Sequence, residues 1–333
     1  MKNKQYYYSL DLFRGFCGYG VAISHLYAFV FANIYAEYIS YLFVEFFFIL
    51  SGFVLYPQLL KVLDDKKNLF IFYKRRWLRT IPLYLAILLA VAALTENLIS
   101  YDLFKYLFFI QKILPNFLNN DFFPVAWSLS IEEIFYLLFP LILINLNKKN
   151  FLKFTIGFIL IFIILKIFST SFVNANFLRT GSILRLDAIL IGFVLAHFHK
   201  KLITKKIQIV FISFFLILIY FLNYEYFMQG ENSKGKNLIF VFLLQIVSAS
   251  VMFSFLFLEK LIKKNKIKNF CLLISRQTYS IYLIHILYIY FLDKLKIPSL
   301  ETMLIYIISL FLSSLIIYKY FERPFLAIRP NIK

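Results

Sequence analysis

Long apolar runs, separated by short polar segments, dominate the sequence. They fall near residues 8–31, 38–57, 80–98, 125–146, 151–173, 182–198, 206–224, 237–258, 270–292 and 300–320. A helix needs roughly 20 apolar residues to cross the hydrocarbon core of a membrane. The pattern therefore predicts an all-α polytopic membrane protein, built as a bundle of about ten transmembrane helices.

The composition supports this interpretation and excludes two other classes of protein. Of the 333 residues, 62% are hydrophobic and only 16% are charged, and the mean hydropathy is +0.78. A soluble domain is about half apolar and about a quarter charged, and a disordered chain is poorer still in apolar residues. No long apolar-poor block remains, so we expect a single integral-membrane domain over residues 1–333, with no additional soluble domain.

The charge distribution predicts how the bundle is oriented. The chain carries 36 Lys and Arg residues against 17 Asp and Glu, a net charge of +19. In a multi-pass protein this excess favours cytoplasmic loops rather than nucleic-acid binding. Counted over the loops, span ends and termini, 25 cations fall on one side and 7 on the other, which predicts that both termini lie in the cytoplasm. That assignment requires segment 99–124 not to cross fully, so we predict a re-entrant or amphipathic outer segment there.

Ionisable residues inside the apolar runs are candidates for function, because each costs at least a few kcal/mol in the membrane. Arg14 and His25 both lie in the first run. Eleven residues make about three helical turns, so the two side chains share a face and lie roughly 16 Å apart along the axis. A titratable His on such a face suits proton transfer. The alternative is a buried polar residue that only holds helices together.

Further ionisable residues are predicted at a similar depth, toward the outer face. They are Glu45, Glu132, Arg185, Asp187 and His285. Their alternative role is structural: the charged residues can form buried ion pairs, and the tyrosines around His285 can satisfy its imidazole.

A basic cluster, Lys74 to Arg79, begins the third run at the cytoplasmic side. Arg76 and Arg79 are three residues apart on one helix face, and two guanidinium groups so placed can clamp phosphates. The alternative is a basic collar that contacts lipid headgroups.

Seven motifs, in order along the chain, resemble one family. They are SLDLFRGFCGYGVAISH (Arg14, His25), VEFFFILSGFVL (Glu45, Ser51, Gly52), RRWLRTIP (Arg76, Arg79), WSLSIEEIFYLLFP (Trp127, Glu132), LRLDAILIGFVLA (Arg185, Asp187, Gly192), TYSIYLIH (Tyr282, His285) and FERP (Glu322, Pro324). Together they resemble the acyltransferase 3 family of membrane-bound O-acyltransferases. Glu45 stands where that family more often has Asp, and we expect no extracytoplasmic hydrolase-like domain.

The resemblance implies transfer of an acyl group, usually acetyl, from cytoplasmic acetyl-CoA to a hydroxyl group. The acceptor is expected to be a surface polysaccharide or a lipid-linked sugar, and the location the bacterial inner (cytoplasmic) membrane; neither a metal nor a nucleic-acid partner is expected. The residues divide into three groups. The catalytic residues are His25, Glu132 and Glu45; the donor-binding residues are Arg14, Arg76 and Arg79; the acceptor-binding residues are Arg185, Asp187, Tyr282, His285 and Trp127.

The expected mechanism is a passage through the bundle. Donor phosphates bind at the arginines, the pantetheine arm reaches inward, and His25 removes the proton of the acceptor hydroxyl. Glu132 or Glu45 is expected to hold the imidazole tautomer or to orient the sugar. Arg185, paired with Asp187, is expected to position the acceptor or stabilise the oxyanion. The alternative function is a transporter of acyl or glycan units that forms no ester, although the sequence shows no inverted repeat.

Overall fold

A computed structural model describes residues 6–228, 233–295 and 300–331. Within these ranges the regular structure is helical, and no strand is present. Helices suit a chain this apolar, because a helix satisfies its backbone N–H and C=O groups internally where no water is available.

Ten long helices in the described ranges coincide with the ten predicted runs. They are α1 (Tyr8–Phe31), α2 (Ile34–Asp64), α3 (Asn68–Leu94), α5 (Trp127–Leu143), α6 (Phe151–Ser169), α8 (Leu186–Leu202), α9 (Lys206–Leu222), α11 (Lys234–Phe255), α12 (Asn265–Leu295) and α13 (Leu300–Ile317). Short helices lie between or after them: α4 (Tyr101–Leu107), α7 (Ala175–Thr180), α10 (Tyr224–Met228) and α14 (Arg323–Ala327).

Eight helical runs in the described part of the chain are long and apolar enough to cross a membrane. One of these runs, Leu186–Leu222, contains both α8 and α9. Helix α1 is also long enough, but it is less apolar than these runs and is not among the eight. The protein is thus a multi-pass helical membrane protein, as predicted. The regular structure of segment 99–124 is the seven-residue helix α4 and the first residue of a 3-10 turn, Pro124–Ala126, so the segment does not cross as a helix. The orientation of the bundle stays a prediction.

Helix α1 lies between α2 and α12 and packs against both. On its other side, α2 packs against α8, and the bundle extends through α6, α9 and α11. Helix α13 covers α12. The outward faces of α6 and α9 carry exposed Ile, Leu and Phe side chains, which is the surface expected against lipid.

Two glycines bring α2 and α8 into backbone contact. A Cβ atom on Gly52 would lie 1.8 Å from the carbonyl oxygen of Ile189, and one on Gly192 would lie 2.2 Å from that of Ile49. Small residues at such crossings allow membrane helices to approach closely and gain van der Waals packing. This contact fixes α2, one of the helices that line both cavities described below.

The C-terminal end folds back onto the bundle. Helix α13 continues into a π-helical turn, Tyr318–Glu322, and then into α14. The buried Glu322 accepts a hydrogen bond from Ser280 of α12, which anchors the turn. The following segment is held by Arg75, whose Nη1 donates to the carbonyl oxygen of Pro330 at 2.5 Å.

We expect Gly52→Ala to destabilise the protein strongly, because its methyl group would overlap the backbone of α8. The matched control is Gly157→Ala in α6, where an added Cβ meets nothing within 4 Å and where Ala is favoured over Gly by roughly 0.5–1 kcal/mol in a helix. Thermal unfolding in detergent measures both. A Gly52→Ala protein as stable as the Gly157→Ala protein would contradict the proposed close contact.

Candidate functional site

A basic cavity, the inner cleft, opens at the end of the bundle where α3 begins. It encloses about 1190 Å³ including its open mouth. Its charged lining residues are Arg14, Arg75, Arg76, Arg79, Arg329 and Glu132. The structure thus brings together the three arginines predicted to bind the donor, and it adds two that the sequence did not single out.

Most of these guanidinium groups lack a counter-charge. Among the residues that the structure describes, Arg14 alone of the five lies within 4 Å of a carboxylate, 3.6 Å from Asp11. Arg76 donates from Nη2 to the Gln58 side chain at 2.7 Å, and its buried Nε has no partner. Unpaired, partly buried guanidinium groups favour an anionic ligand, because charge-assisted hydrogen bonds would offset their lost hydration.

The carboxylate of Glu132, which lines the inner cleft, is held by two hydroxyl groups. Glu132 accepts a hydrogen bond from Ser51 Oγ at 2.6 Å and one from the Tyr136 hydroxyl at 3.0 Å. Its hydrogen-bond partners do not include His25, whose ring nitrogen Nδ1 instead faces His285.

A second cavity, the outer cavity, lies at the opposite end of the bundle, near the end of α1 and the start of α2. It encloses about 1000 Å³ with its opening, and its lining includes His25, Tyr41, Trp127 and Arg179. The first-helix imidazole therefore lines a cavity.

The outer cavity combines aromatic and polar groups. The Arg179 guanidinium lies 3.8 Å from the centre of the Tyr41 ring and 5.1 Å from that of Trp127. At the rim, Lys112 pairs with Asp121 at 2.6 Å. Apolar faces with a few polar groups around them are typical of small-ligand sites, and aromatic faces with hydrogen-bonding groups suit a sugar.

His25 is paired with a second histidine. Its Nδ1 lies 3.0 Å from Nε2 of His285, and the two rings stack with their centres 5.2 Å apart. Nδ1 of His285 lies 3.3 Å from the carbonyl oxygen of Ile281, which can only accept. The network thus assigns the proton of His285 to Nδ1 and that of His25 to its own Nδ1. Nε2 of His25 is left with a free lone pair.

The two cavities approach each other at a septum made by Val44, Ser128 and Tyr282. Val44 lines both cavities, while Ser128 and Tyr282 line the inner cleft. The hydroxyl groups of Ser128 and Tyr282 lie 2.6 Å apart, and the Tyr282 ring centre lies 5.8 Å from that of His285. The structure thus shows two separate cavities with this septum between them, and the expected continuous passage stays a prediction.

Three predicted site residues lie in buried ion pairs instead. Arg185 pairs with Glu45 rather than with Asp187, which pairs with Lys166 of α6. All four side chains are at most 1% exposed, and none lines the two cavities. The expected Arg185–Asp187 pairing is wrong, because the α2–α8 contact places Glu45 beside Arg185.

The sequence missed several lining residues. Arg75 was considered only as part of the basic cluster Lys74 to Arg79. Arg329 was counted only among the cytoplasmic cations, and Arg179 and Lys112 only among the outer ones. No signal in the local sequence ties these residues to a cavity. Within the described ranges, no three His, Cys, Asp or Glu side chains are grouped so that they could hold a metal ion.

Comparison with known proteins agrees with the geometry. Residues 7–319 match the acyltransferase 3 family model, described as an acyltransferase domain. The O-acetyltransferase OatA of Staphylococcus aureus, in strains NCTC 8325, COL and MRSA252, is 29% identical over 366 residues, covering 97% of this chain. The chain spans 58% of the length of these relatives. No solved structure matches significantly.

We expect Glu45→Gln to destabilise the fold, because it leaves Arg185 as an uncompensated buried charge, at a cost of about 3–5 kcal/mol. The control is Lys148→Ala, which breaks the half-exposed Lys148–Asp64 pair and should cost at most about 1 kcal/mol. Thermal unfolding compares the two. Equal stability of both variants would show that the buried pair is not structural.

Proposed function

The chain belongs to the acyltransferase 3 family, and from this premise we propose that it is an O-acetyltransferase of the bacterial cytoplasmic membrane. It takes an acyl group, most simply acetyl, from acyl-CoA on the cytoplasmic side. It transfers this group to a hydroxyl of a surface polysaccharide or lipid-linked sugar on the other side. The observation that carries the proposal is the pair of cavities of different chemistry at opposite ends of the bundle, with His25 beside their septum.

The inner cleft suits the donor. Acetyl-CoA carries three phosphate groups, and Arg14, Arg76 and Arg79 offer guanidinium groups that favour phosphates. The predicted orientation opens this cleft to the cytoplasm, where acyl-CoA is made. The narrow pantetheine arm would extend toward Ser128 and Tyr282, bringing the thioester to the septum.

His25 is the proposed general base. Its Nε2 lone pair accepts the proton of the acceptor hydroxyl, and the resulting imidazolium keeps its hydrogen bond from Nδ1 to His285. His285 thus takes the orienting role expected of Glu132 or Glu45, through an imidazole instead of a carboxylate. A positioned base typically contributes roughly 10²–10⁴ in rate.

The chemistry balances without a further reactant. The acceptor oxygen forms a bond to the thioester carbonyl carbon as His25 removes its proton. The tetrahedral intermediate collapses by breaking the C–S bond, and the proton passes to the CoA sulfur. The hydroxyl groups of Ser128 and Tyr282, at the septum, are the proposed hydrogen-bond donors to the carbonyl oxygen as it gains negative charge. The septum must open for the thioester to reach His25.

The outer cavity is the proposed acceptor site. Trp127 and Tyr41 present aromatic faces, and Arg179 supplies N–H donors that suit sugar oxygens. We assign Glu45, Arg185 and Asp187 to holding the wall behind this cavity rather than to contacting the sugar. Glu132 is proposed to orient the donor arm through its network with Ser51 and Tyr136.

A transporter would also present two cavities at opposite ends. The two functions differ in the fate of the thioester: an acyltransferase consumes it and leaves an alkali-labile ester, whereas a transporter does neither. Membranes containing the protein, supplied with radiolabelled acetyl-CoA and surface glycan from the source bacterium, distinguish them.

We expect His25→Ala to lower ester formation in this assay at least 100-fold while the protein stays folded. His285→Phe, which keeps a ring but removes the acceptor nitrogen, should cause a smaller loss. The control is His197→Ala, at an exposed histidine that bonds Tyr56 at the other end of the bundle. Wild-type ester formation by a folded His25→Ala protein would refute the assignment of the base.

A further inference from the structure

The mouth of the inner cleft carries more positive charge than the three predicted donor-binding residues supply. Arg329 follows α14, and Arg75 precedes Arg76 on α3; both line the cleft. With Arg14, Arg76 and Arg79 they make five guanidinium groups against one carboxylate, Glu132. Counted over the residues that the structure describes, the lining therefore has a net charge of +4, and Glu132 is already engaged by Ser51 and Tyr136.

The C-terminal segment is held at this mouth by its backbone. Arg75 donates from Nη1 to the carbonyl oxygen of Pro330 at 2.5 Å, and the buried bond from Ser280 to Glu322 fixes the π-helical turn that leads into the segment. The side chain of Arg329 is thereby carried into the cleft, although it is separated from the other arginines by most of the chain.

The local electrostatics at Arg329 favour an anion. Burial, reinforced by the neighbouring Arg79, Arg75 and Arg76, lowers the pKa of Arg329 to about 10. No carboxylate lies within 4 Å of Arg329 or Arg75 among the residues that the structure describes. Holding the guanidinium groups of these four arginines close together costs free energy, because like charges repel. A bound polyanion would offset this repulsion.

We propose that Arg329 and Arg75 form a second phosphate subsite of the donor cleft, at its mouth, supplied in part by the C-terminal segment. The proposal rests on the proposed function and extends it. Two separate phosphate-binding positions would hold the donor. One is formed by Arg14, Arg76 and Arg79, and the other by Arg329 and Arg75. The separate phosphate monoester carries about −1.5 to −2 charges at neutral pH, and the doubly esterified diphosphate carries about −1 on each of its two phosphates. The donor's total of about −3.5 to −4 therefore matches a lining of +4.

The subsite makes the enzyme selective for the nucleotide end of its donor. A thioester on a bare pantetheine arm would fill the inner part of the cleft but leave the mouth empty. We therefore expect the protein to discriminate CoA from pantetheine mainly through affinity. Arg329 should carry part of that discrimination, although it lies outside the motifs that identify the family.

The experiment is calorimetric binding to the purified full chain in detergent, with CoA, dephospho-CoA (which lacks the 3′-phosphate) and pantetheine as probes. Arg329→Ala should weaken CoA binding about tenfold or more, since hydrogen bonds between charged groups are among the stronger ones. Pantetheine binding should not change. The control is Lys319→Ala, which removes an exposed cation near the same end of the chain that does not line the cleft.

The outcomes separate the possible failures. If Arg329→Ala weakens CoA but not dephospho-CoA, the subsite holds the 3′-phosphate; if it weakens both, the subsite holds the diphosphate. Unchanged CoA affinity, or an equal loss for pantetheine, would overturn the subsite and indicate a merely structural segment. If CoA does not bind the wild-type protein, the proposed donor itself is wrong, and the subsite is rejected with it. Thermal unfolding of each variant shows whether it is folded.

Discussion

The close contact of α2 with α8 is the constraint on which the two cavities depend. Gly52 and Gly192 allow the two backbones to touch, and this contact sets Glu45 against Arg185 on one side of α2. On its other side, α2 directs Ser51 into the inner cleft and Val44 into the septum. A larger residue at either glycine would push the helices apart, separating a buried ion pair and moving the wall of both cavities together.

Charge in this membrane bundle is divided into two kinds. Lys166, Asp187, Arg185 and Glu45 are fully buried and paired, as expected for charges that must be neutralised in a medium of low dielectric constant. The arginines of the inner cleft are left mostly without carboxylate partners. A paired charge stabilises the packing of helices, whereas an unpaired charge in an open cleft remains available to a ligand. The same residue types thus have structural and ligand-binding roles, distinguished by their partners.

The helices could be predicted from the sequence because the length and apolarity of a run are local properties. The grouping of Arg14, Arg76 and Arg79 was also predictable. All three lie toward the N-terminal ends of their helices, and those ends were predicted on the same side of the membrane. The partner of His25 was not, because it depends on how α12 packs against α1 and brings His285 across. Arg329 was missed for a related reason: only the fold of the C-terminal segment returns it to the cleft. The predicted Arg185–Asp187 pair was wrong because two residues that are close in sequence need not have side chains that meet. Their partners, Glu45 and Lys166, come from other helices.

The central claim is that donor and acceptor reach the septum from opposite faces of the membrane. Inside-out and right-side-out vesicles from cells that contain the protein test this directly, when each is given radiolabelled acetyl-CoA from outside. We predict that sealed inside-out vesicles alone consume the donor, and that the labelled ester forms in their lumen, where added esterase cannot remove it until detergent is present. Equal consumption by sealed right-side-out vesicles, or label that esterase removes from intact inside-out vesicles, would contradict it.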